Sequence, residues 1–374
     1  MRFICIIFLI TLCSGEDTID SCYSETCSKQ DSSLYRGLGT ECKRNKQFTL
    51  FWWFESATNS EYVGNYSTSF KDMNSSAPIK LLIQENSDNI IEQIKDAYFK
   101  VNNSSYTIVR VGYNTIGLRS SVTYSNETYE CNLLVIADQI LYFLHMINAT
   151  YGFQVESMHL IGHSFGAHLA GIVGNRFKQN YGFTVGRITG LDPLGGEYNC
   201  ITCKSLRLNK GDASFVDIIH TNPGGYGVIE PIGDQDFYVN CQSLRTKEWK
   251  TREVIQPACQ DAKDKGLVVT DRCSSRVSCV LFAESIIYNN FLGKSCSIAS
   301  IIGCFPVSYA YMGEYARKAR YDIYYVETKA EPPYGLGSNK KHPFENNTYF
   351  AQYSNKKRPF EINTFAQYDV RIDV

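Results

Sequence analysis

Histidine is scarce in this chain, with six in 374 residues, so a reaction that needs an imidazole has few places to find one. A surplus of charge is also missing. Lysine and arginine number 37 against 38 acidic residues, a formal net charge of −1, and no clustered basic surface points to a nucleic-acid partner. Long apolar runs are absent after residue 13. The one at the start, Phe3 to Cys13 in "MRFICIIFLITLCSG", follows a single Arg and ends in small residues. It is too short to span a bilayer and reads as a secretory signal peptide over 1–15. A soluble, secreted mature chain without a transmembrane segment is therefore expected.

Cysteine, by contrast, is plentiful, with 14 in the chain. Cys5 and Cys13 leave with the signal, and the even number that remains fits a disulfide-bonded extracellular protein. Asn-x-Ser/Thr sequons at Asn65, Asn74, Asn102, Asn103, Asn126, Asn148 and Asn346 agree with that compartment and predict surface positions. Residues 16–46 form a polar segment in which Cys22 and Cys27 could close a small loop. The pair Cys200 and Cys203 has metal-like spacing, but in a secreted chain each reads as part of a structural disulfide. No zinc and no other cofactor is expected; calcium is left open.

From residue 47 short apolar runs rich in β-branched residues appear: "FTLFWWF", "IKLLI" (79–83), "YTIVRVGY" (106–113), "MHLI" (158–161), "GRITGL" (186–191) and "FVDIIHT" (215–221). These read as buried strands. Between the third and fourth, "CNLLVIADQILYFLHMINATYG" repeats its apolar positions every three to four residues and predicts a helix, as does "FGAHLAGIVGNRF" after residue 164. Strand and helix in alternation predict an α/β protein over 47–330, with a mostly parallel sheet covered on both faces. Residues 331–374 differ: "KKHPFENNTYFAQY" is echoed by "KKRPFEINTFAQY", a short duplicated segment with little core-forming capacity, read as an extended or disordered tail.

Within "HLIGHSFGAHLAG", Ser164 stands between Gly162 and Gly166. A bare G-x-S-x-G would arise in roughly one chain in ten of this length. Here it follows an apolar strand and opens a helix, the setting in which a serine sits on a tight turn with its hydroxyl above the sheet. The N–H of Phe165 would then face a developing oxyanion. Asp192, in "GRITGLDPLG", lies just past a strand, where a buried carboxylate can orient an imidazole and support its charge.

The segments "MHLIGHSFGAHLAG", "GRITGLDPLGG" and "LNKGDASFVDIIHT", in that order, resemble the pancreatic-lipase family. The resemblance covers roughly residues 30–330. It implies an α/β-hydrolase fold with Ser164 as nucleophile and Asp192 as acid. It further implies that the loop from Cys241 to Cys273 is a disulfide-closed lid and that Cys296 pairs with Cys304. Only the tail follows, so the family's C-terminal β-sandwich is not expected. That family places its catalytic His two residues after the second lid cysteine. Ser275 occupies the position here, in "CSSRVSCVLFAESI". The strand before the oxyanion hole also departs from the pattern: Gln84 and Glu85 replace a His-Gly pair, with Gln84 the candidate second hole residue beside Phe165.

None of the six histidines fits the empty role by position. His145 lies on the long helix, His159 in the strand before the serine, and His163 and His168 belong to the serine motif as scaffold. His220 reads as a core histidine, and His342 lies in the tail. Loss of the base from a serine triad costs on the order of a million-fold in turnover. A hydroxyl takes no proton near neutral pH, whereas imidazole does.

The leading expectation is thus a secreted lipase-family protein of the carboxylic ester hydrolase class that is catalytically impaired and binds lipid or serves another non-enzymatic role. The alternative is an active triacylglycerol lipase or phospholipase that uses Ser164 and Asp192 with a displaced base, His220 or His342. A third reading, an unrelated extracellular binding module, has only the disulfide and sequon pattern in its favour. The expected partner is a lipid or lipid ester, with peripheral contact to a lipid surface through apolar lid residues such as Trp249, Val254, Ile255 and "GLVV" (266–269).

Overall fold

The computed structural model describes residues 49–54, 60–62, 74–85, 89–101, 106–113, 126–199, 204–241, 254–267, 269–270, 272–296 and 306–337. The signal peptide, the 16–46 segment, the duplicated repeat with His342, the Cys200–Cys203 pair and the Cys296–Cys304 pairing lie outside what is described.

Eleven strands, in the order β10-β9-β11-β8-β7-β6-β5-β3-β4-β1-β2, form one sheet. They are β1 (Thr49–Phe54), β2 (Ser60–Tyr62), β3 (Ile79–Glu85), β4 (Thr107–Tyr113), β5 (His159–His163), β6 (Arg187–Leu191), β7 (Phe215–His220), β8 (Gln235–Val239), β9 (Leu292–Cys296), β10 (Pro306–Tyr311) and β11 (Ile323–Val326). From β4 to β11 across the centre, through β3, β5, β6, β7 and β8, every neighbour is parallel. The strands at both edges are antiparallel. This is the α/β-hydrolase architecture, and each of the six sequence-read strands is present.

The central strands are near-continuous apolar runs because both of their faces are covered. On one face lie α2 (Asn126–Tyr151) and α3 (Phe165–Tyr181). Leu133, Ile136, Ala137, Ile140, Phe143, Leu144 and Ile147 recur at helical spacing and are buried with Leu81, Val109, Leu160 and Ile188 of the sheet. The other face takes α1 (Glu92–Val101), α4 (Pro257–Asp264) and α5 (Cys273–Ile287), which pack with Leu82, Ile161, Leu191 and Ile219. Residues 133–151 of α2 are, by length and composition, apolar enough to cross a membrane. This corrects the expectation that no such run follows residue 13. The same apolar side chains are committed to the sheet.

Of the sequons, Asn74 is exposed as predicted. Asn148 is half-buried and spends Nδ2, the atom to which a glycan attaches, on a bond to Phe153 O at 2.8 Å.

At the N-terminal ends of the parallel strands lies a polar cluster that the sequence gave no reason to expect. Lys80 Nζ donates to Glu314 Oε1 (2.7 Å) and to His159 Nδ1 (3.2 Å). His159 Nε2 donates to the Thr189 hydroxyl (2.7 Å), which donates to Asp217 Oδ1 (2.9 Å). Arg187 closes the set with two bonds to the Asp217 carboxylate (2.7 and 2.8 Å) and one each to the carbonyls of Glu314 and Gly313. Tyr98 donates to Glu314 Oε2. Buried charges are tolerated when paired and hydrogen-bonded in this way. Burial holds His159 well below its ordinary pKa, helped by the neighbouring Arg187 and Lys80 charges.

Candidate active site

Ligand sites in open parallel sheets form beyond the carboxyl ends of the strands, and the chemistry-bearing residues gather there. Ser164 follows β5 with φ 54° and ψ −119°, a conformation that non-glycine residues rarely adopt and that persists only when its surroundings enforce it. The turn needs a small residue two places earlier: a Cβ at Gly162 would lie 2.2 Å from Gly166 O. Phe165 opens α3, so its N–H lies at the positive end of the helix. Ser164 N–H donates to Leu191 O (2.9 Å), which binds the serine turn to the end of β6. The next residue is Asp192, at φ 43°. Ser164 and Asp192 thus follow adjacent strands, in register through Gly162–Gly190 and His163–Leu191.

Asp192 is fully buried. Its Oδ1 accepts the backbone N–H groups of Thr221 (2.9 Å) and Asn222 (2.7 Å), just past β7. Oδ2 has no hydrogen-bond partner. Burial raises the carboxyl to a pKa of about 6, although the nearby Ser275 hydroxyl and the two backbone donors favour the ionised form. The Ser275 hydroxyl is near enough to ease that charge without completing a bond to Oδ2. In a complete triad a ring N–H donates at this point.

Ser275 lies in the first turn of α5 and is buried. Its carbonyl accepts from the Thr221 hydroxyl (3.3 Å), which ties the helix start to the end of β7 beside Asp192. Its Oγ is 3.4 Å from His163 Nε2. Ser275 therefore neighbours both Asp192 and His163, and among the described residues the Ser164 side chain receives no hydrogen bond.

Of the other described histidines, His220, His168 and His159 have both ring nitrogens engaged, whereas Nδ1 of His145 has no hydrogen-bond partner. His220 Nε2 bonds Asp236 Oδ1 (2.8 Å), Nδ1 faces Val228 O (3.2 Å), and the ring stacks on Tyr238 at 4.2 Å. His168 bonds Leu194 O through Nε2 and accepts from Leu208 N–H through Nδ1; burial lowers its pKa to about 3. His159 belongs to the cluster at the opposite end, and His145 stacks on Tyr181. Gln84 is buried in β3, opposite Gly112 of β4, and its Oε1 accepts the N–H of Ile91.

The loop that the resemblance reads as a lid has a different disulfide from the expected one. Cys273 is bonded to Cys259, not to Cys241, because α4 folds the second half of the loop back and brings the two Cα atoms to 6.0 Å. Cys241 is a buried thiol that donates to Val239 O. Burial and the neighbouring Asp192 both raise its pKa, which keeps it protonated. Gln256, just before α4, was not singled out by its sequence. Its Nε2 donates to Thr221 O (2.7 Å) and Val239 O (3.0 Å), and its N–H donates to the Ser274 hydroxyl (3.0 Å). It thereby pins the lid base, the end of β7 and the start of α5 together. The turn-forming "HTNPGG" after β7 was a readable signal for the backbone donors that hold Asp192.

The model of the lipase family matches residues 40–334. The chain belongs to the lipase family. Its relatives include human pancreatic lipase-related protein 3, 34% identical over 46% of this chain and 40% of that protein. Rabbit (Oryctolagus cuniculus) pancreatic triacylglycerol lipase is 32% identical over 53% of the chain and 43% of that protein. The chain spans less than half the length of these relatives. A solved α/β hydrolase enzyme from a Medee basin deep-sea metagenome library covers 60% of the chain and 80% of its own, at 13% identity and a TM-score of 0.29. Within this lipase-family fold, Ser164, Asp192 and Ser275 are the residues that the resemblance reads as nucleophile, acid and occupant of the base position.

Proposed function

We propose that this chain is a secreted, lipid-binding member of the lipase family in which ester hydrolysis is lost or nearly lost. The observation that carries this reading is the buried Asp192 Oδ2 without a donor, beside Ser275 and within a fold that otherwise keeps the serine turn intact. A hydroxyl cannot accept the Ser164 proton near neutral pH, and His220, the displaced base that lies within the described residues, has both nitrogens engaged elsewhere. The lipid character rests on the family and on Ile255 and Leu267 around α4, which are 59% and 40% exposed and would present apolar surface to a lipid interface. The relatives named as lipases support acylglycerols or related esters as the class of molecule bound.

The test is hydrolysis of a short-chain p-nitrophenyl ester and of emulsified triacylglycerol by the purified protein, beside its Ser164→Ala and Ser275→His variants. The parent and Ser164→Ala should be equally inactive, and Ser275→His should gain activity that depends on Ser164. Parent turnover at an ordinary enzymatic pace, lost in Ser164→Ala, would overturn the reading.

A further inference from the structure

We propose that the position beside the Asp192 carboxylate and Ser164 is a binding site for a small two-nitrogen base, an imidazole, supplied free or as part of the ligand, and that such a base restores hydrolysis by Ser164. The inference rests on the reading above, in that it takes the base as the decisive missing part, a backbone N–H remaining able to serve the oxyanion where Gln84 and Glu85 replace the His-Gly pair.

Four observations on one site converge. Asp192 is wholly buried, yet Oδ2 has no donor. Its other oxygen is fixed by two backbone N–H groups, so the carboxyl cannot turn to find one. The Ser164 side chain receives no hydrogen bond from the described residues, although the strained turn holds it in place. The side chain nearest that carboxylate, Ser275, eases its charge from a hydroxyl that ends at Oγ, 3.4 Å from His163 Nε2. A group that donates one N–H to Oδ2 and presents a second nitrogen to Ser164 meets all of these requirements, and imidazole has that geometry. Buried polar atoms left unpaired in a native structure call for such an explanation.

The chemistry balances without an oxidant or a metal. The bound base removes the Ser164 hydroxyl proton as Oγ bonds to the ester carbonyl carbon. The protonated base, held by the Asp192 carboxylate, returns that proton to the departing alkoxide. Water then attacks the acyl group with the same base taking its proton, which passes to Ser164 Oγ as the carboxylic acid leaves. An ester that carries its own imidazole near the scissile bond would supply the base itself, so the substrate class singled out is an imidazole-bearing ester.

Imidazole serves as the probe, titrated against the parent, Ser164→Ala, Asp192→Asn and Ser275→Ala with a p-nitrophenyl ester. The spontaneous imidazole rate is subtracted, and the folding of each variant is checked by circular dichroism. The parent should accelerate at least about 10-fold with saturation, since a positioned general base contributes 10²–10⁴ and a free one must first be bound. Ser164→Ala should show no gain, Asp192→Asn a weakened one, and Ser275→Ala an equal or larger one. Binding is read separately by line broadening of imidazole proton resonances, which should occur with the parent and diminish with Asp192→Asn. An inactive parent with neither saturable rescue nor broadening overturns this inference and leaves the proposed function standing. Ser164-dependent turnover without added base, abolished by His163→Ala, overturns both by naming a resident base.

Discussion

The two ends of the central sheet hold buried polar clusters of opposite character. At the N-terminal ends of the strands, Lys80, Arg187, Glu314, Asp217, His159, Thr189 and Tyr98 bond one another on every side that faces inward. At the C-terminal ends, Asp192 is just as deeply buried and one of its oxygens has nothing. The first cluster carries more charge and the second less, yet the second is the one left incomplete. Unpaired buried groups cost about 1–3 kcal/mol or more. The named cluster is satisfied, although neighbouring Gln235 at the start of β8 has both side-chain polar atoms unpaired; at the C-terminal end the unpaired atom belongs to a carboxylate, whose cost the described side chains do not offset. That is the signature expected of a site whose partner was replaced or arrives from outside, and not of a structural core.

The contrast is broken most severely by removing Arg187. Arg187→Met would strand the Asp217 carboxylate and the carbonyls of Gly313 and Glu314, and breaking a buried pair costs about 3–5 kcal/mol. Urea unfolding should show that loss with an unchanged slope; a loss below about 1 kcal/mol would mean the cluster is not the fastening it resembles.

The opposite sign is expected at the other end. Asp192 is raised from 3.8 to about 6 in the fold, so its protonated form is the one folding favours. The penalty is absent below pH 3.8, grows between pH 3.8 and 6, and is complete above, where two units amount to roughly 3 kcal/mol. Asp192→Asn keeps an oxygen for the Thr221 and Asn222 donors and removes the charge. It should raise the unfolding free energy at pH 8 by up to roughly 3 kcal/mol and leave it unchanged at pH 4. Thermal unfolding at the two pH values decides it; a variant less stable than the parent at pH 8 would show that the carboxylate is satisfied after all.

The two regions also differ in how far they could be read beforehand. The serine turn, the acid and the serine in place of histidine were legible because each sits in a contiguous motif whose strand-turn-helix pattern has a fixed chemical meaning. The six strands with β-branched runs were legible for the same reason. Strand β8, "QDFYV", carries charge inside its element and gave no clean alternation, whereas α1, "EQIKDAYFKV", places Ile94, Ala97, Tyr98 and Val101 at helical spacing and was a readable signal that was not singled out. The N-terminal cluster was invisible, because its bonds join residues 79, 127 and 234 positions apart, and a lone Lys, His or Glu in a strand reads as solvated. The expected Cys241–Cys273 pairing differs from the Cys259–Cys273 bond in the structure. Cys273 does close a loop, but spacing could not show that α4 would fold Cys259 back onto it.

The central claim is that Ser164 is correctly placed and unactivated. A fluorophosphonate, which phosphonylates only serines made nucleophilic by a base, tests this directly when the site of modification is read by peptide mass spectrometry. Ser164 should remain unmodified in the parent and become labelled in Ser275→His. Labelling of Ser164 in the parent at the rate usual for a serine hydrolase would contradict the account.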